Sequence, residues 1–274
     1  HIGSWTHRMS HTDPNTANIP ALVNRKGKPQ YLGREMRSMF LASSSLDANG
    51  VPRNRLLVGV DADAIQLRVF AHLVNDPVLI KALVEGRKED GTDAHSINKR
   101  IIERTIPCEG REVAKTYLYA LFLGAGTAKQ SEILSCSSAE AKQVQRSFME
   151  AYPGWKELRE SRIPQDAKRG YFEGLDGRLV KCESEHLMLA GYLQNGEKVV
   201  MARAAVQMDR WRRDNKLSEV FDLVNFVHDE LQYDCDADHV QYIGEAAMNF
   251  IVDQGRQLNL NCPLAANMKT GKDW

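Results

Sequence analysis

The sequence lacks an apolar run approaching the ~20 residues that a membrane-spanning helix needs, and it contains no internal repeat or low-complexity tract. It also lacks an excess of either charge, because lysine plus arginine and aspartate plus glutamate both number 36. The first absence predicts that the chain does not enter a membrane. The second means that net charge indicates neither an acidic nor a basic partner, so any such preference must come from local clusters.

Cysteine is scarce and scattered along the chain. The five cysteines are odd in number, are widely spread and include no C-x-x-C pair. They are Cys108, Cys136, Cys182, Cys235 and Cys262. This pattern indicates reduced structural thiols in a cytosolic setting and argues against a zinc site.

What is present is the composition of a soluble globular protein, with 43% hydrophobic and 26% charged residues. A chain of 274 residues can bury a substantial core, as one elaborate domain or as two modest ones. The sequence begins with His1 rather than methionine, and its first twenty residues are polar and rich in turn signals. We therefore expect it to be an internal part of a larger polypeptide.

Three ionisable side chains, His228, Asp229 and Glu230, interrupt the apolar segment "VNFVHDELQYDC". The β-branched and aromatic residues on both sides predict two strands joined by a hairpin. An unpaired buried carboxylate costs several kcal/mol, so the pattern leaves two interpretations. Either the hairpin tip is solvated, or a divalent cation binds the carboxylate. A second carboxylate elsewhere in the chain would favour the metal site.

That second carboxylate is found in "RLLVGVDADAIQLRVFAHLVNDP". Residues 56–60 predict a short buried strand that delivers Asp61 at its end. After Asp63 an apolar side chain recurs every four positions, which predicts a helix, and the Asn-Asp-Pro at 75–77 predicts its end. For Asp63 itself, the simpler interpretation is the N-cap of this helix rather than part of a site.

Two cations and a phenol are spaced four residues apart in "REVAKTYLYALFLGAG". Arg111, Lys115 and Tyr119 therefore line one face of a predicted helix, which the Gly-Ala-Gly at 124–126 closes. Such a face suits a triphosphate and the sugar beyond it, although a solvated basic stripe gives the same pattern. His95, in the polar segment "TDAHS", is either a further phosphate donor or an ordinary loop histidine.

In combination these segments resemble family A DNA polymerases, with most similarity to the replicative polymerases of bacteriophages. The family's Asp-x-Ser-x-Ile/Leu-Glu-Leu-Arg motif stands here as "DADAIQLR" from Asp61, and its Val-His-Asp-Glu motif stands at 227–230. Its Arg-x-x-x-Lys-x-x-x-Tyr/Phe motif begins at Arg111. The segments "THRMSHTDPNTANIP", "GLDGR" and "GYLQNG" also fit, in the family's order along the chain.

Five positions depart from the family pattern. They are Gln66 in place of a glutamate under the nucleotide sugar, Asp63 in place of a small residue, His7 in place of a glycine, Leu123 in place of an aromatic residue and Ala190 in place of an asparagine. These departures concern fidelity and sugar selection. Both metal-binding aspartates of the family pattern are retained.

The resemblance implies template-directed DNA synthesis, in which two Mg²⁺ ions assist nucleotidyl transfer from a dNTP to a primer 3′-hydroxyl. By resemblance, Asp61 and Asp229 are the catalytic residues, and they bind the metal with the carbonyl of Ala62. The residues implied in nucleotide binding are Gln66, His95, Arg111, Lys115 and Tyr119. The residues implied in primer or template binding are Arg8, Arg178, His186, Gln194, His228 and Glu230.

The implied fold is α/β, with an antiparallel palm sheet carrying both aspartates and a helical fingers insertion. We expect the palm at residues 1–74 and 185–274 and the fingers at 75–184. The segment "AAMNFIVDQ" predicts an amphipathic helix behind the sheet. The resemblance implies that thumb and exonuclease domains are absent from these 274 residues. We expect an upstream segment to supply them, in cis or as a second chain.

The implied partners are primer–template DNA and dNTPs, and the implied location is the cytoplasm, of the host cell if a phage encodes the chain. Two alternatives remain open: a single-subunit RNA polymerase-like enzyme and a non-catalytic nucleic-acid-binding relic. The segment "RAAVQMDRWRR" at 203–213 carries four arginines against one aspartate. It predicts either a helix that follows a phosphate backbone or an ordinary solvated helix face.

Overall fold

The computed structural model describes residues 4–12, 14–23, 28–47 and 49–274. Its strands are β1 (Arg55–Ala62), β2 (Tyr171–Glu173), β3 (Leu179–Lys181), β4 (Phe221–Val227), β5 (Glu230–Asp236) and β6 (Ala266–Gly271). Its α-helices are α1 (Gly33–Arg37), α2 (Ile65–Val74), α3 (Pro77–Val84), α4 (Ala94–Ile102), α5 (Arg111–Phe122), α6 (Thr127–Leu134), α7 (Ser138–Ala151), α8 (Pro153–Glu157), α9 (Ile163–Arg169), α10 (Glu185–Asp214) and α11 (Val240–Gln257). Short 3₁₀ turns lie at Thr16–Asn18 and Ala237–His239, and a π-helical turn lies at Leu158–Arg162.

The chain divides into two compact units. The sheet unit contains the described residues within 1–65 together with 197–257 and 264–274. The helical unit contains residues 66–196 and 258–263. Both predicted aspartates fall in the sheet unit, and the predicted cationic helix falls in the helical unit.

The sheet unit is built on a four-stranded antiparallel sheet with the order β4-β5-β1-β6. Alternation along β1 turns Val58 and Val60 to the face that α11 covers, and both are fully buried. Contact is close at Gly244 of α11, where an added Cβ would collide with Sδ of Met268. The predicted C-terminal amphipathic helix is therefore confirmed, and it packs on one face of the sheet.

The opposite face of the sheet is polar. In antiparallel strands, residues directly opposite one another share a face. Gly59 is opposite Gln232 on β5 and Lys269 on β6, and Asp61 is opposite Glu230 on β5. This polar face therefore carries Asp61 towards the end of β1 that lies next to the β4–β5 hairpin.

The helical unit surrounds its own aromatic core, and its helices begin at side-chain caps. Asp76 accepts a hydrogen bond from the backbone nitrogen of Leu79 at 2.8 Å and so caps α3. Ser137 and Glu140 form a capping box at the start of α7. Buried aromatic rings fill the space between the helices; they belong to Phe70, Tyr117, Phe122, Phe148 and Trp155.

Three local predictions need correction. Strand β1 begins at Arg55 and continues through Asp61, which lies inside the strand because both β5 and β6 pair with this end. Helix α2 begins at Ile65, so Ala64, with a φ of 48°, precedes it directly and Asp63 lies one residue too early for the N-cap. His95 lies in the first turn of α4 and is buried, and is therefore not a loop residue.

The five cysteines are all free, as predicted. Among the described residues, no helix combines the length and the apolar character that crossing a membrane would require.

Candidate active site

His228 and Asp229 form the two-residue turn of the β4–β5 hairpin. His228 has a φ of 54°, in the left-handed region, where histidine occurs more often than most side chains. The backbone nitrogen of Ala62 donates a hydrogen bond of 2.9 Å to the carbonyl oxygen of Asp229. This bond fixes the hairpin to the end of β1, so the two predicted aspartates, Asp61 and Asp229, come together.

Negative charge accumulates around Asp61. Water reaches this residue, but neighbouring protein atoms reduce the hydration of its carboxyl. This desolvation, followed by the charges of Asp229, Glu230 and Asp63, raises the pKa of Asp61 to about 7, and Lys269 opposes the shift. A carboxylate crowded in this way favours any cation that can enter the site.

The pKa of Asp229 is raised as well. Desolvation, with a contribution from the charge of Glu230, raises the pKa of Asp229, while Arg8 opposes the shift. Arg8 is itself held by Glu197 of α10, whose carboxylate is fully buried. The Arg8 Nε and Nη2 atoms lie 2.7 Å and 2.5 Å from Oε1 of Glu197. A fixed positive charge therefore lies near the hairpin, and it is anchored by a carboxylate that water does not reach.

Glu230 and His228 flank Asp229 and differ in their surroundings. The Oε1 atom of Glu230 accepts a hydrogen bond from Nε1 of Trp274 at 3.1 Å and another from Nε2 of Gln232. Desolvation, followed by the charges of Arg8 and another histidine, lowers the pKa of His228. Among the described residues, Nδ1 of His228 is buried without a hydrogen-bond partner. His228 is therefore a neutral side chain with an unused polar atom.

The helical unit brings the predicted nucleotide-binding residues together at the starts of α4 and α5. Asp93 accepts hydrogen bonds from the backbone nitrogen of His95 and from Nε of Arg111, both at 3.0 Å. Burial, followed by the charges of Arg111 and Lys115, lowers the pKa of His95 to about 4. The His95 and Tyr119 rings lie 6.1 Å apart. The arrangement is a cationic helix face with a neutral imidazole beside it.

The other predicted contact residues lie elsewhere in the helical unit. Arg178 follows the tip of the β2–β3 hairpin and forms an ion pair of 2.5 Å with Asp176. His186 lies in the first turn of α10 and lines a cavity of about 660 Å³. Gln66 and Gln194 lie on α2 and α10 and are half-buried. Only the family resemblance groups these residues with the cationic helix; no sequence pattern does.

Asp93, Glu197 and Trp274 contact predicted site residues but were not identified as such contacts from the sequence. Asp93 carried a usable signal, because an aspartate two residues before His95 is typical of a helix N-cap. Glu197 is a lone carboxylate beside the apolar residues 199–201 of α10, which is a weaker signal of a buried ion pair. Trp274 contacts Glu230 from a distant part of the sequence, and no local pattern indicates such a contact.

The arginine-rich segment at 203–213 makes hydrogen bonds within the chain. Arg203 donates to Gln254 at 2.8 Å, and Arg212 donates to the backbone oxygen of Phe221 at 2.6 Å. Arg213 pairs with an aspartate on the same helix. These contacts favour the interpretation as an ordinary helix face over one that follows a phosphate backbone.

Comparison with known structures shows the fold of a polymerase domain. The structure matches the POL domain of Pol1 from M. smegmatis, which was solved in complex with DNA primer-template and dNTP. The TM-score is 0.80 at 22% sequence identity, and the match covers 99% of this chain and 46% of that chain. The predicted α/β fold class with an antiparallel sheet is confirmed.

The sequence comparison shows the family: the model of DNA polymerase family A matches residues 1–274, and the chain belongs to this family. It is 28% identical over 299 residues to the DNA-directed DNA polymerase of Escherichia phage T7, covering 99% of this chain and 39% of that protein. It is 25% identical over 290 residues to DNA polymerase I of Rhizobium leguminosarum, covering 98% of this chain and 26% of that protein. The chain thus spans less than half the length of these relatives. The activity of the full-length relatives is therefore only proposed for this chain.

Proposed function

We propose that this chain inserts nucleotides as part of a DNA-directed DNA polymerase, extending a primer 3′-hydroxyl with dNTPs. The observation that carries the proposal is the hydrogen bond between Ala62 and Asp229. It brings two aspartates together in a chain that belongs to DNA polymerase family A. The raised pKa of both carboxyls adds support, because perturbed acids are concentrated at functional sites.

The carboxylate pair suits Mg²⁺. The described residues contain no group of three or more His, Cys, Asp or Glu side chains placed to hold a metal ion. Mg²⁺ is commonly held by one or two carboxylates together with substrate phosphates and water. Asp61, Asp229 and the Ala62 carbonyl would therefore be enough ligands from the protein. Two bound Mg²⁺ ions would activate the primer hydroxyl and neutralise the pyrophosphate leaving group.

The residues of the helical unit hold the dNTP. Arg111 and Lys115 bind the triphosphate, and Asp93 fixes the direction of the Arg111 guanidinium. His95 donates a hydrogen bond to the same phosphates, and its pKa of about 4 in the nucleotide-free protein means that the ring is neutral before the nucleotide binds. Tyr119 packs against the sugar and base. In this proposal the amide of Gln66 occupies the space of a ribose 2′-hydroxyl and so favours deoxynucleotides.

The remaining predicted residues contact the primer–template duplex. Arg8 and Gln194 contact its minor groove, where the acceptor positions are alike for all base pairs. Arg178 and His186 contact the nucleic acid from the helical unit. His228, with its unused Nδ1, lies beside the primer end.

The palm then comprises residues 1–74 and 185–274, and the fingers comprise 75–184. A thumb-bearing and exonuclease-bearing segment upstream, in the same polypeptide or as a second chain, supplies further contacts to the duplex.

Primer extension tests the proposal. Wild-type protein is compared with Asp229→Asn and with Asp238→Asn, an exposed aspartate outside the site. Each is supplied with dNTPs or rNTPs, with Mg²⁺ or with a chelator. We expect extension by dNTPs with Mg²⁺ only, a loss exceeding about 10³-fold in Asp229→Asn, and normal extension by Asp238→Asn.

Other outcomes identify the alternatives. Equal use of rNTPs would favour an RNA polymerase-like enzyme. Binding of primer–template without any extension would favour a non-catalytic relic.

A further inference from the structure

Glu230 is a third carboxylate at the paired aspartates, yet it is turned away from them. It follows Asp229 in sequence and lies directly opposite Asp61 in the strand register. Turned the other way, the Glu230 side chain would point towards the two aspartates. Instead, Trp274 and Gln232 both donate hydrogen bonds to one oxygen, Oε1.

The position of that oxygen shows the direction in which Glu230 turns. It lies 3.1 Å from the point that a Cβ on Gly59 would occupy. Gly59 lies two residues before Asp61 on the same face of β1, and Gln232 is directly opposite Gly59. The Glu230 side chain therefore extends back along the strands over Gly59, away from the hairpin tip that carries Asp229.

The indole of Trp274 is itself held in place. Its ring meets the ring of Phe40 edge to face, with centroids 5.8 Å apart, and the Arg37 guanidinium carbon lies 4.4 Å from its centroid. The Trp274 backbone nitrogen donates to the carbonyl oxygen of Phe40 at 3.2 Å, and Leu41 forms a β-bridge with Asp273. A donor fixed in this way can orient the carboxylate that it contacts.

The second donor is equally constrained. Gln232 is 5% exposed and lies on the polar face of β5. Its Nε2 atom occupies space that is open only because residue 59 is glycine, since an added Cβ would come within 2.5 Å of it. Two buried or ring-packed donors on a single carboxylate oxygen form a built arrangement, in contrast to a chance surface contact.

We propose that Trp274 and Gln232 are positioning residues that hold Glu230 out of the cation site, leaving it to Asp61 and Asp229. This inference rests on the proposed function and names the residues that set the number of carboxylates at that site. Two carboxylates leave coordination positions for substrate phosphates and water, whereas a third would take one of those positions. Releasing Glu230 therefore tightens cation binding and slows nucleotide insertion.

The test is a double-mutant cycle read by direct cation binding. Free Mn²⁺ is measured by electron paramagnetic resonance in titrations of wild-type, Trp274→Phe, Glu230→Gln and the double variant. Phenylalanine keeps the ring contacts of Trp274 but lacks the N–H donor. We expect Trp274→Phe to bind Mn²⁺ roughly three- to tenfold more tightly than wild type, and to have no effect in the Glu230→Gln background. Gln232→Leu, of similar volume, should repeat the effect of Trp274→Phe.

Two results would overturn the inference: an unchanged Mn²⁺ affinity in Trp274→Phe, or an equal change in both backgrounds. The second would mean that Trp274 acts only through packing. A wild-type protein without saturable Mn²⁺ binding would instead contradict the proposed function, and with it the cation site from which Glu230 is held away.

A metal-free readout tests the contacts themselves. The indole N–H resonance of Trp274, assigned by its loss in Trp274→Phe, is expected to shift in Glu230→Gln, because a charged acceptor becomes a neutral one. An unmoved resonance would show that Trp274 does not bind Glu230.

Discussion

The backbone nitrogen of Ala62 donates a hydrogen bond to the carbonyl oxygen of Asp229, with a nitrogen–oxygen distance of 2.9 Å. The bond connects the end of β1 to the hairpin between β4 and β5, so the two aspartates are positioned by main-chain geometry. A slip of one residue between β1 and β5 would turn Asp61 to the face covered by α11. The site therefore depends on strand register, and the buried valines of β1 hold that register.

Removing the charge of Asp61 should increase stability. Because its folded-state pKa is raised to about 7, from an ordinary value of 3.8, the ionised carboxyl destabilises the folded state. The free energy of unfolding should therefore fall as pH rises from about 4 through 7, and this fall should be smaller in Asp61→Asn. We expect a higher melting temperature for Asp61→Asn at pH 8 in a chelator, and no such gain near pH 3.

Thermal unfolding, monitored by circular dichroism, tests whether the ionised Asp61 carboxyl destabilises the fold. Asp238→Asn serves as the control, because Asp238 is exposed and outside the site. Added Mg²⁺ should raise the melting temperature of wild type and leave Asp61→Asn nearly unchanged, since ligand binding to the folded state stabilises it. A lower melting temperature for Asp61→Asn in chelator would contradict the crowding of negative charge.

Much of the sheet could be predicted because its strands carry a local pattern. The apolar residues 56–60 and the interrupted segment around His228 predicted β1, β4 and β5. Strand β6 was missed, since "ANMKTG" lacks the run of β-branched or aromatic side chains that marks a strand. Strand β6 pairs with β1 through Ala62, and β5 pairs with β1 through Asp61, so Asp61 lies inside a strand that the sequence predicted to end before it.

Side-chain partners were harder to predict than backbone elements. The motifs that carry Arg8 and Arg111 were recognised, but their partners Glu197 and Asp93 were not. Glu197 is distant in sequence from Arg8 and carries no motif. The burial of Glu197 follows from the packing of α10, which a single helical pattern does not specify.

The ion pair between Arg8 and Glu197 gives a stability prediction. Glu197 is fully buried, and Arg8→Met removes the cation that pairs with its carboxylate. We expect this change to lower the free energy of unfolding by about 3 kcal/mol. In the double variant Arg8→Met/Glu197→Gln, the buried group is neutral and most of this loss should be recovered. Urea unfolding measures both free energies. If the double variant is no more stable than Arg8→Met, the buried charge is not the cause of the loss.

His95 should titrate far below an ordinary histidine. Burial, followed by the charges of Arg111 and Lys115, lowers its pKa from 6.5 to about 4. Because the folded-state pKa is depressed, the stability that this group contributes is present above pH 6.5 and is lost as pH falls towards 4. We expect a midpoint near pH 4 in an NMR titration of the imidazole, assigned with His95→Gln.

Changing the surrounding charge should move that midpoint upward. Arg111→Met removes one of the two cations, and bound dATP places phosphate oxygens on the same helix face if the proposed site is correct. Lys181→Met, a solvent-exposed lysine on β3, is the matched control and should leave the midpoint unchanged. A midpoint near 6.5 in the wild-type protein would show that His95 is not buried beside these cations.

Gly59 should not tolerate a side chain, because the Gln232 amide and the Glu230 carboxylate fill the space beside its Cα. A Cβ at this position would lie 2.5 Å from Nε2 of Gln232 and 3.1 Å from Oε1 of Glu230. In Gly59→Ala, Gln232 must move, since its amide nitrogen cannot remain that close to a methyl group. The carboxylate of Glu230 then loses a donor, and the Mn²⁺ affinity should change in the same direction as in Trp274→Phe.

The matched control is Gly50→Ala, at a glycine where an added Cβ would meet no atom of the described residues within 4 Å. Its φ of 79° strains alanine, so some stability is lost without any contact to Glu230. Gly59→Ala should therefore alter both Mn²⁺ affinity and the indole resonance of Trp274, whereas Gly50→Ala should alter only the melting temperature. If Gly59→Ala lowers the melting temperature but leaves the indole resonance and Mn²⁺ binding unchanged, Gln232 does not position Glu230. The effect of the methyl group would then be one of packing alone.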